Sequence, residues 1–469
     1  MSARRAAIIG GGVIGGGWAA RFLLMGWDVT LYDPSEAAVA RVEWVLEQAR
    51  YALPMLYETA LPDEGRLTRA ASVAEAVAGA AYVQESVPER LDLKHRVLTE
   101  ILDANGEAPV GSSTSGFKPG DLRAGVRGGE RIVVAHPFNP VYLLPLVEIV
   151  GGEGVSPEAL AATTGVLREI GMRPLVIRAE IDGHIADRLL EAVWREALWL
   201  VNDGVATTED VDEAIRLGFG LRWAQMGLFE TYRIASGDGG MVHFLGQFGP
   251  ALKWPWTKLM DVPDLTEALV QRIADQSDVQ SGARSIAELE ALRDENLVAI
   301  LRALKMRGAG AGEVLAAHEA GVAAPDPEAL VTVRRRVPLD WTDYNGHMNE
   351  SRYGQIFSDA SDAVLAAFGA GPAYVARGFS YFTAEANIRY LREAHAGDAV
   401  RVESRITLAD GKKLGLAHRL LRETDREVLA TGTQFMLHVS LETRASCSPP
   451  EDLASRLAGL AALHAGHPF

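Results

Sequence analysis

The sequence predicts an α/β doubly wound domain, an all-helical domain and an α+β domain, in that order. Three observations carry this. At 469 residues the chain exceeds one ordinary core. Its first 180 residues alternate short apolar runs with helical stretches, the pattern of a parallel sheet wrapped by helices. An Ala-, Gly- and Pro-rich stretch, RGAGAGEVLAAHEAGVAAPDPEAL, then separates a helical middle from a tail that reads as strands around one helix. The boundaries read as 1–180, 181–318 and 330–469, with a linker at 319–329.

The first elements are the most informative. Arg5 to Ile9 reads as a buried strand and Ile14 to Met25 as a helix, with six glycines in the twelve residues IIGGGVIGGGWA at their junction. Such a cluster implies positive φ angles or a surface that side chains would obstruct. Gly10, Gly12 and Gly15 fit G-x-G-x-x-G, with Val13 and Ile14 at the head of the helix. This is the spacing of a tight turn that brings a pyrophosphate against a helix N-terminus. A second strand, Trp27 to Tyr32, ends in Asp33, eighteen residues past Gly15, where a carboxylate accepts both ribose hydroxyls and repels a 2′-phosphate. The cofactor expected is NAD. The runs AAYVQESV, PVGSSTS, RIVVAHPF and LVEIV read as further strands.

From Ile181 to about Ala317 the pattern turns helical, with IADRLLEAVWREALWLVNDG as the longest amphipathic run. Beyond Leu330, VTVRRRV reads as a strand, followed by a helix around Tyr353 to Phe368 and several later strands. The formal charge of −16 argues against nucleic acid and anionic membranes as partners. No run has transmembrane length, the first residues enter a strand directly, and Cys447 is the only cysteine. The expected compartment is the reducing cytoplasm.

His136 ends one strand and Glu148 lies in the next, twelve residues on. That layout brings a carboxylate beside an imidazole, as a general base acting on an alcohol needs. Ser112, Ser113, Thr114 and Ser115 stand where another strand ends, at the crevice edge that holds ligands in open α/β sheets.

Residues 1 to about 300 resemble the 3-hydroxyacyl-CoA dehydrogenase family: the glycine turn, Asp33, ESVPERLDLK, SSTS, HPFNP and the Glu in LVEIV occur in its order. The resemblance implies a Rossmann-type domain and an all-α C-terminal domain. By position, it makes Ser115 the hydrogen-bond partner of the substrate hydroxyl, His136 the base and Glu148 its partner, and it puts Glu89 and Lys94 near the nicotinamide ribose. Where the family carries Asn in a run like I-V-N-R-L, this chain has Asp187, an acid that suggests a positive charge to balance or a different hydrogen-bond pattern. Eight aromatics lie between Phe219 and Trp256, among them Trp223, Phe229, Tyr232, Phe248, Trp254 and Trp256. Aromatic faces attract quaternary ammonium groups, although any one of these rings can simply pack a helical dimer core. The combination is similar to the branch of the family that oxidises L-carnitine to 3-dehydrocarnitine.

PLDWTDYNGHMNESRYGQIFSDASD resembles the opening of hotdog-fold acyl-CoA thioesterases. The resemblance places Asp343 at the catalytic-acid position, with Asn345, Gly346, His347 and Asn349 around it, although polar groups so placed before a helix can also simply cap it. It implies an acyl-CoA substrate, betainyl-CoA in the fused members, and a homodimer. No metal is required by this reading. The alternatives are a 3-hydroxyacyl-CoA dehydrogenase with an accessory thioesterase, and a non-enzymatic NAD(H)-binding protein.

Overall fold

A computed structural model describes residues 4–57, 61–235, 245, 257, 264, 266–281, 283–322 and 331–465. These fall into two compact units: one holds the parallel-sheet and helical domains, and the other is built on an antiparallel sheet and takes in short segments at 24–26 and 50–63.

In the first unit, strands β1 (Arg5–Ile9), β2 (Asp28–Tyr32), β3 (Leu67–Arg69), β4 (Tyr82–Glu85), β5 (Val110–Ser112), β6 (Ile132–Pro137), β7 (Leu146–Val150) and β8 (Arg173–Ile177) form one sheet in the order β3-β2-β1-β4-β5-β6-β7-β8. Every pair is parallel except β6 with β7. The central strands are apolar because helices cover both faces. Ala7, Ile9, Val83, Val110, Ile132 and Val134 pack with Leu98, Ile101 and Leu122 in one buried cluster. The order reverses beside β1, which places the crevice at the C-terminal ends of β1 and β4.

The helix Val13–Leu24 starts in the glycine turn. Gly10 has φ of +103°, and a Cβ there would meet the Ser86 carbonyl oxygen at 2.5 Å; one on Gly15 would meet the Gly10 carbonyl oxygen at 1.8 Å. Both positions admit only glycine.

The helical domain runs through Ala186–Asn202, Thr208–Ala214, Gly220–Ala235, Glu267–Ser281 and Ile286–Arg307. The last, at 22 residues, is longer than the 17-residue Ala186–Asn202 helix that the amphipathic pattern favours. Its length comes from its ends: a capping box joins Ser285 and Glu288, and Gly308 closes it at φ of +59°. The Ala- and Gly-rich stretch contains a helix, Ala311–Gly321. Gly312 lets its first turn pass so close to Leu304 that a Cβ would sit 2.1 Å from the Leu304 carbonyl carbon.

In the second unit, β9 (Val331–Arg336), β10 (Phe379–Tyr390), β11 (Ala399–Asp410), β12 (Lys413–Arg422) and β13 (Val428–Ser440) form an antiparallel sheet ordered β10-β13-β12-β11-β9. The helix Glu350–Ala367 buries Tyr353, Ile356, Phe357 and Ala360 in a core with Val400, Val402 and Leu420. It begins one turn earlier than its apolar spacing indicates, because Asn349 caps it by accepting the Ser351 N–H at 3.0 Å.

Candidate active sites

The antiparallel β6–β7 pair sets His136 and Glu148 directly opposite each other. Residues so placed project to the same face of the sheet. His136 Nδ1 lies 3.3 Å from Glu148 Oε2, and Glu148 is fully buried. The other carboxylate oxygen accepts the backbone N–H groups of Ile185 and Ala186, each at 3.0 Å, at the start of the Ala186–Asn202 helix. Burial alone would raise the Glu148 pKa, but the bonds from His136, Ala186 and Ile185 outweigh it and hold the carboxyl below its ordinary value. Glu148 therefore remains an anion whose position is fixed at both oxygens.

The opposite ring nitrogen, Nε2, faces Asp187 Oδ2 at 3.7 Å. Burial is the main cause that pushes Asp187 above the usual carboxylate value; the Glu148 charge adds to it, while His136 opposes it. A cleft of about 560 Å3 opens beside Asp187, lined also by Asp182, Gly183, Arg188, Glu191 and Arg195. It presents both signs of charge.

Two neighbours of His136 carry no role in the sequence reading. Phe138 packs edge-on against its ring with centroids 5.0 Å apart. His184 lies 5.6 Å away by centroid, is fully buried, and adopts a left-handed φ of 51°. Its Nε2 donates to the Thr114 carbonyl at 3.4 Å, and its Nδ1 is buried with no hydrogen-bond partner. Burial, then the adjacent His136, lowers its pKa, so the ring stays neutral. A histidine next to glycine in a short interdomain turn was the available signal.

On the nucleotide side, Gly11 N–H donates to Asp33 Oδ2 at 2.7 Å and Ser35 N–H to Oδ1 at 2.8 Å, which fixes the carboxylate beside the glycine turn. A Cβ on Gly12 would find no protein atom within 4 Å. This open cradle at a helix N-terminus fits a dinucleotide pyrophosphate. Val13 and Ile14 begin the helix that frames it. Glu89 accepts from Thr114 Oγ1 and, at 3.1 Å, from Gly116 N–H. Lys94 is buried, its ammonium 2.9 Å from Glu85 and 3.3 Å from Glu89, so its charge is paired with both carboxylates. Burial raises the Glu89 pKa, but its bonds to Thr114, Lys94 and Gly116 lower it further. Ser115 is exposed just beyond β5.

The aromatic candidates divide. Trp223 packs on Phe219 with centroids 4.5 Å apart, and Trp223, Phe229 and Tyr232 are all exposed. Phe248, Trp254 and Trp256 lie outside the described residues.

In the second unit, Asp343 and His347 close one turn: Asp343 N–H donates to the His347 carbonyl and Gly346 N–H to the Asp343 carbonyl, both at 2.9 Å. Gly346 has φ of +79°. Asp343 Oδ1 accepts the Asn345 N–H at 2.8 Å. The turn sits before the Glu350–Ala367 helix, with the Asn345 side chain exposed.

Residues 5–181 match the profile of the 3-hydroxyacyl-CoA dehydrogenase NAD binding domain, 183–274 that of its C-terminal domain, and 337–457 the thioesterase-like superfamily. An L-carnitine dehydrogenase/betainyl-CoA thioesterase of Ruegeria pomeroyi is 56% identical over 98% of this chain and 96% of its own length. The chain belongs to this bifunctional family. The protein of the same name from Agrobacterium fabrum is 53% identical, over 98% of this chain and 95% of its own. An L-carnitine dehydrogenase of Pseudomonas aeruginosa is 52% identical over 64% of this chain and 93% of its own, and thus matches without the thioesterase part. Among solved structures, an NAD+-dependent 5-formyl-3-hydroxy-2-methylpyridine 4-carboxylic acid 5-dehydrogenase aligns with a TM-score of 0.55 at 29% identity, over 65% of this chain and 99% of that one. Membership fixes the Rossmann, helical and hotdog domains and the cofactor NAD. No described helix is long and apolar enough to cross a membrane.

Proposed function

We propose that this protein oxidises the C3 hydroxyl of L-carnitine to give 3-dehydrocarnitine and, at its C-terminal domain, hydrolyses betainyl-CoA. The observation that carries the reading is His136 held between two carboxylates, Glu148 at Nδ1 and Asp187 at Nε2. The family profiles and the names of the relatives support both activities.

In the oxidation, Nε2 of His136 takes the hydroxyl proton, and Glu148 balances the charge of the imidazolium that forms. Ser115 holds the hydroxyl oxygen. NAD supplies the hydride acceptor when bound, with its adenosine ribose on Asp33, its pyrophosphate in the Gly10–Gly15 turn and its nicotinamide ribose near Glu89. The trimethylammonium nitrogen of carnitine is two carbons from the hydroxyl oxygen, so a carboxylate beside Nε2 lies within reach of it. Asp187 loses water on burial and regains a counter-charge from the substrate. Rings of the 219–256 segment add cation–π contacts.

In the hydrolysis, Asp343 activates a water or attacks the thioester carbonyl directly. N–H groups at the start of the hotdog helix stabilise the oxyanion. Asn345, His347 and Asn349 frame that turn.

We place the module boundaries at 1–180, 181–318 and 330–469 and assign a homodimer in the cytoplasm. Two features support self-association: β10 is a long edge strand with Phe382 and Tyr390 exposed, and the helical domain exposes Leu189, Leu190, Trp194, Leu217 and Leu221. A neutral tert-butyl analogue tests the charge reading. It should inhibit L-carnitine oxidation more weakly than a cationic analogue of the same shape; equal inhibition would show a pocket that reads shape alone.

A further inference from the structure

The turn that carries Asp343 meets a second turn of the same domain through two histidines. His347 and His395 pair across an isolated antiparallel bridge, and their rings stand edge to face with centroids 5.0 Å apart. Glu393 Oε2 lies 3.5 Å from His347 Nε2. One ligand-competent atom from each of the three residues falls within 4.8 Å of the others. Met348 N–H donates to the Ala394 carbonyl at 2.7 Å, so the backbone itself sets the spacing.

A carboxylate backs the second ring. Asp398 Oδ2 accepts the His395 backbone N–H at 2.9 Å and lies 3.9 Å from Nδ1. At that distance the carboxylate adds negative charge beside the ring rather than a hydrogen bond to it. The cations at these turns are already engaged: Arg422 bonds the Glu393 carbonyl at 2.9 Å and pairs with Asp398, Asp425 and Glu427, Arg392 pairs with Glu427, and Arg336 bonds the Gly397 carbonyl. The carboxylates of Glu393 and Asp398 leave the face able to accept positive charge. One divalent ion at this spacing satisfies both imidazole lone pairs and the carboxylate together.

We propose that His347, Glu393 and His395 bind one divalent transition-metal ion of the Zn2+, Ni2+ or Co2+ class. Imidazole nitrogen selects these ions over Mg2+ and Ca2+, which favour all-oxygen sites. The bound ion ties the 343–347 turn to the 393–398 turn and so steadies the backbone that presents Asp343. The ligands come from stretches 46 residues apart, His347 and Glu393, which leaves no local spacing motif in the sequence.

The test uses the full-length chain, stripped with a chelator and titrated with Co2+ while its visible absorption is followed. One Co2+ per chain should bind in the wild type and be lost in His395→Ala. Removing an outer-shell partner alone weakens metal sites by about 10–100-fold, so Glu393→Gln should weaken this one at least tenfold. Zn2+ should displace Co2+, and Mg2+ should not. Zn2+ should also raise the unfolding temperature of the wild type but not of His395→Ala. Far-UV circular dichroism of the full-length chain, which includes the antiparallel sheet, serves as the folding control, with His395→Gln in reserve if the alanine variant fails it. Identical Co2+ spectra and stoichiometry in the wild type and the folded His395 variant, or displacement by Mg2+, would overturn the proposal.

Discussion

His136 and Glu148 are register partners in the one antiparallel pair of the eight-stranded sheet, with Nδ1 of the imidazole 3.3 Å from a carboxylate oxygen. A parallel neighbour twelve residues away is not available, since parallel strands need a longer crossover. The reversal at β7 therefore brings base and acid together over a short connection. The same carboxylate receives two N–H bonds from the start of the next domain's helix. The link between sheet and helical domain thus passes through Glu148.

Glu148→Gln keeps the size of the side chain and removes its charge. General acid–base catalysis contributes about 10²–10⁴-fold, so kcat for NAD-dependent oxidation should fall within that range, with NADH affinity unchanged by fluorescence titration. A fall below tenfold would reduce Glu148 to a structural role.

Asp187→Asn restores the amide usual in the wider family. A pair of unit charges about 4 Å apart is worth roughly 1 kcal/mol in water and 4 kcal/mol near a protein surface, so KM for L-carnitine should rise tenfold or more. The tert-butyl analogue should lose little. An equal loss for both compounds would assign Asp187 to orienting His136 instead.

Asp33→Ala should narrow the preference for NAD over NADP, measured as the ratio of kcat/KM values. An NADP preference in the wild type would remove the ribose argument.

Asp343→Asn should abolish thioester hydrolysis and leave carnitine oxidation unchanged, while His136→Ala should do the reverse. Release of free thiol and formation of NADH, followed on the same samples, separate the two. Surviving hydrolysis in Asp343→Asn would leave the acid only its bond to the Asn345 N–H.

His418 lies inside the hotdog core, where Ser404 meets its Nδ1 at 2.7 Å and Ser361 its Nε2 at 3.1 Å. Burial pushes its pKa from 6.5 down to about 3. The unfolded chain binds a proton here that the folded chain does not, so the stability contribution is complete above pH 6.5 and lost as the pH falls toward 3. The slope should be about 1.4 kcal/mol per pH unit in this window. His418→Gln should flatten the slope in denaturant titrations; an unchanged slope would place the acid sensitivity elsewhere.

Local pattern made the glycine turn, Asp33 and the His136–Glu148 spacing legible, because each depends on residues close in sequence. The hotdog helix was legible for the same reason, although the Asn349 cap extends it. What the sequence hid depends on contacts between distant segments. The position of Asp187 at Nε2 is set by helix docking, and the burial of His184 depends on Thr114, seventy residues earlier. The burial of Lys94 and its salt bridges to Glu85 and Glu89 likewise have no sequence signature. The helix at Ala311–Gly321 was masked by a run of glycines, of which Gly312 serves close packing.

The most direct test of the central claim is NADH formation by the full-length chain with L-carnitine, D-carnitine and 3-hydroxybutyryl-CoA side by side. Rapid NADH formation with L-carnitine alone is the predicted result. Faster turnover of 3-hydroxybutyryl-CoA than of L-carnitine would contradict the account, because a site built around Asp187 and His136 would then not be reading the substrate's positive charge.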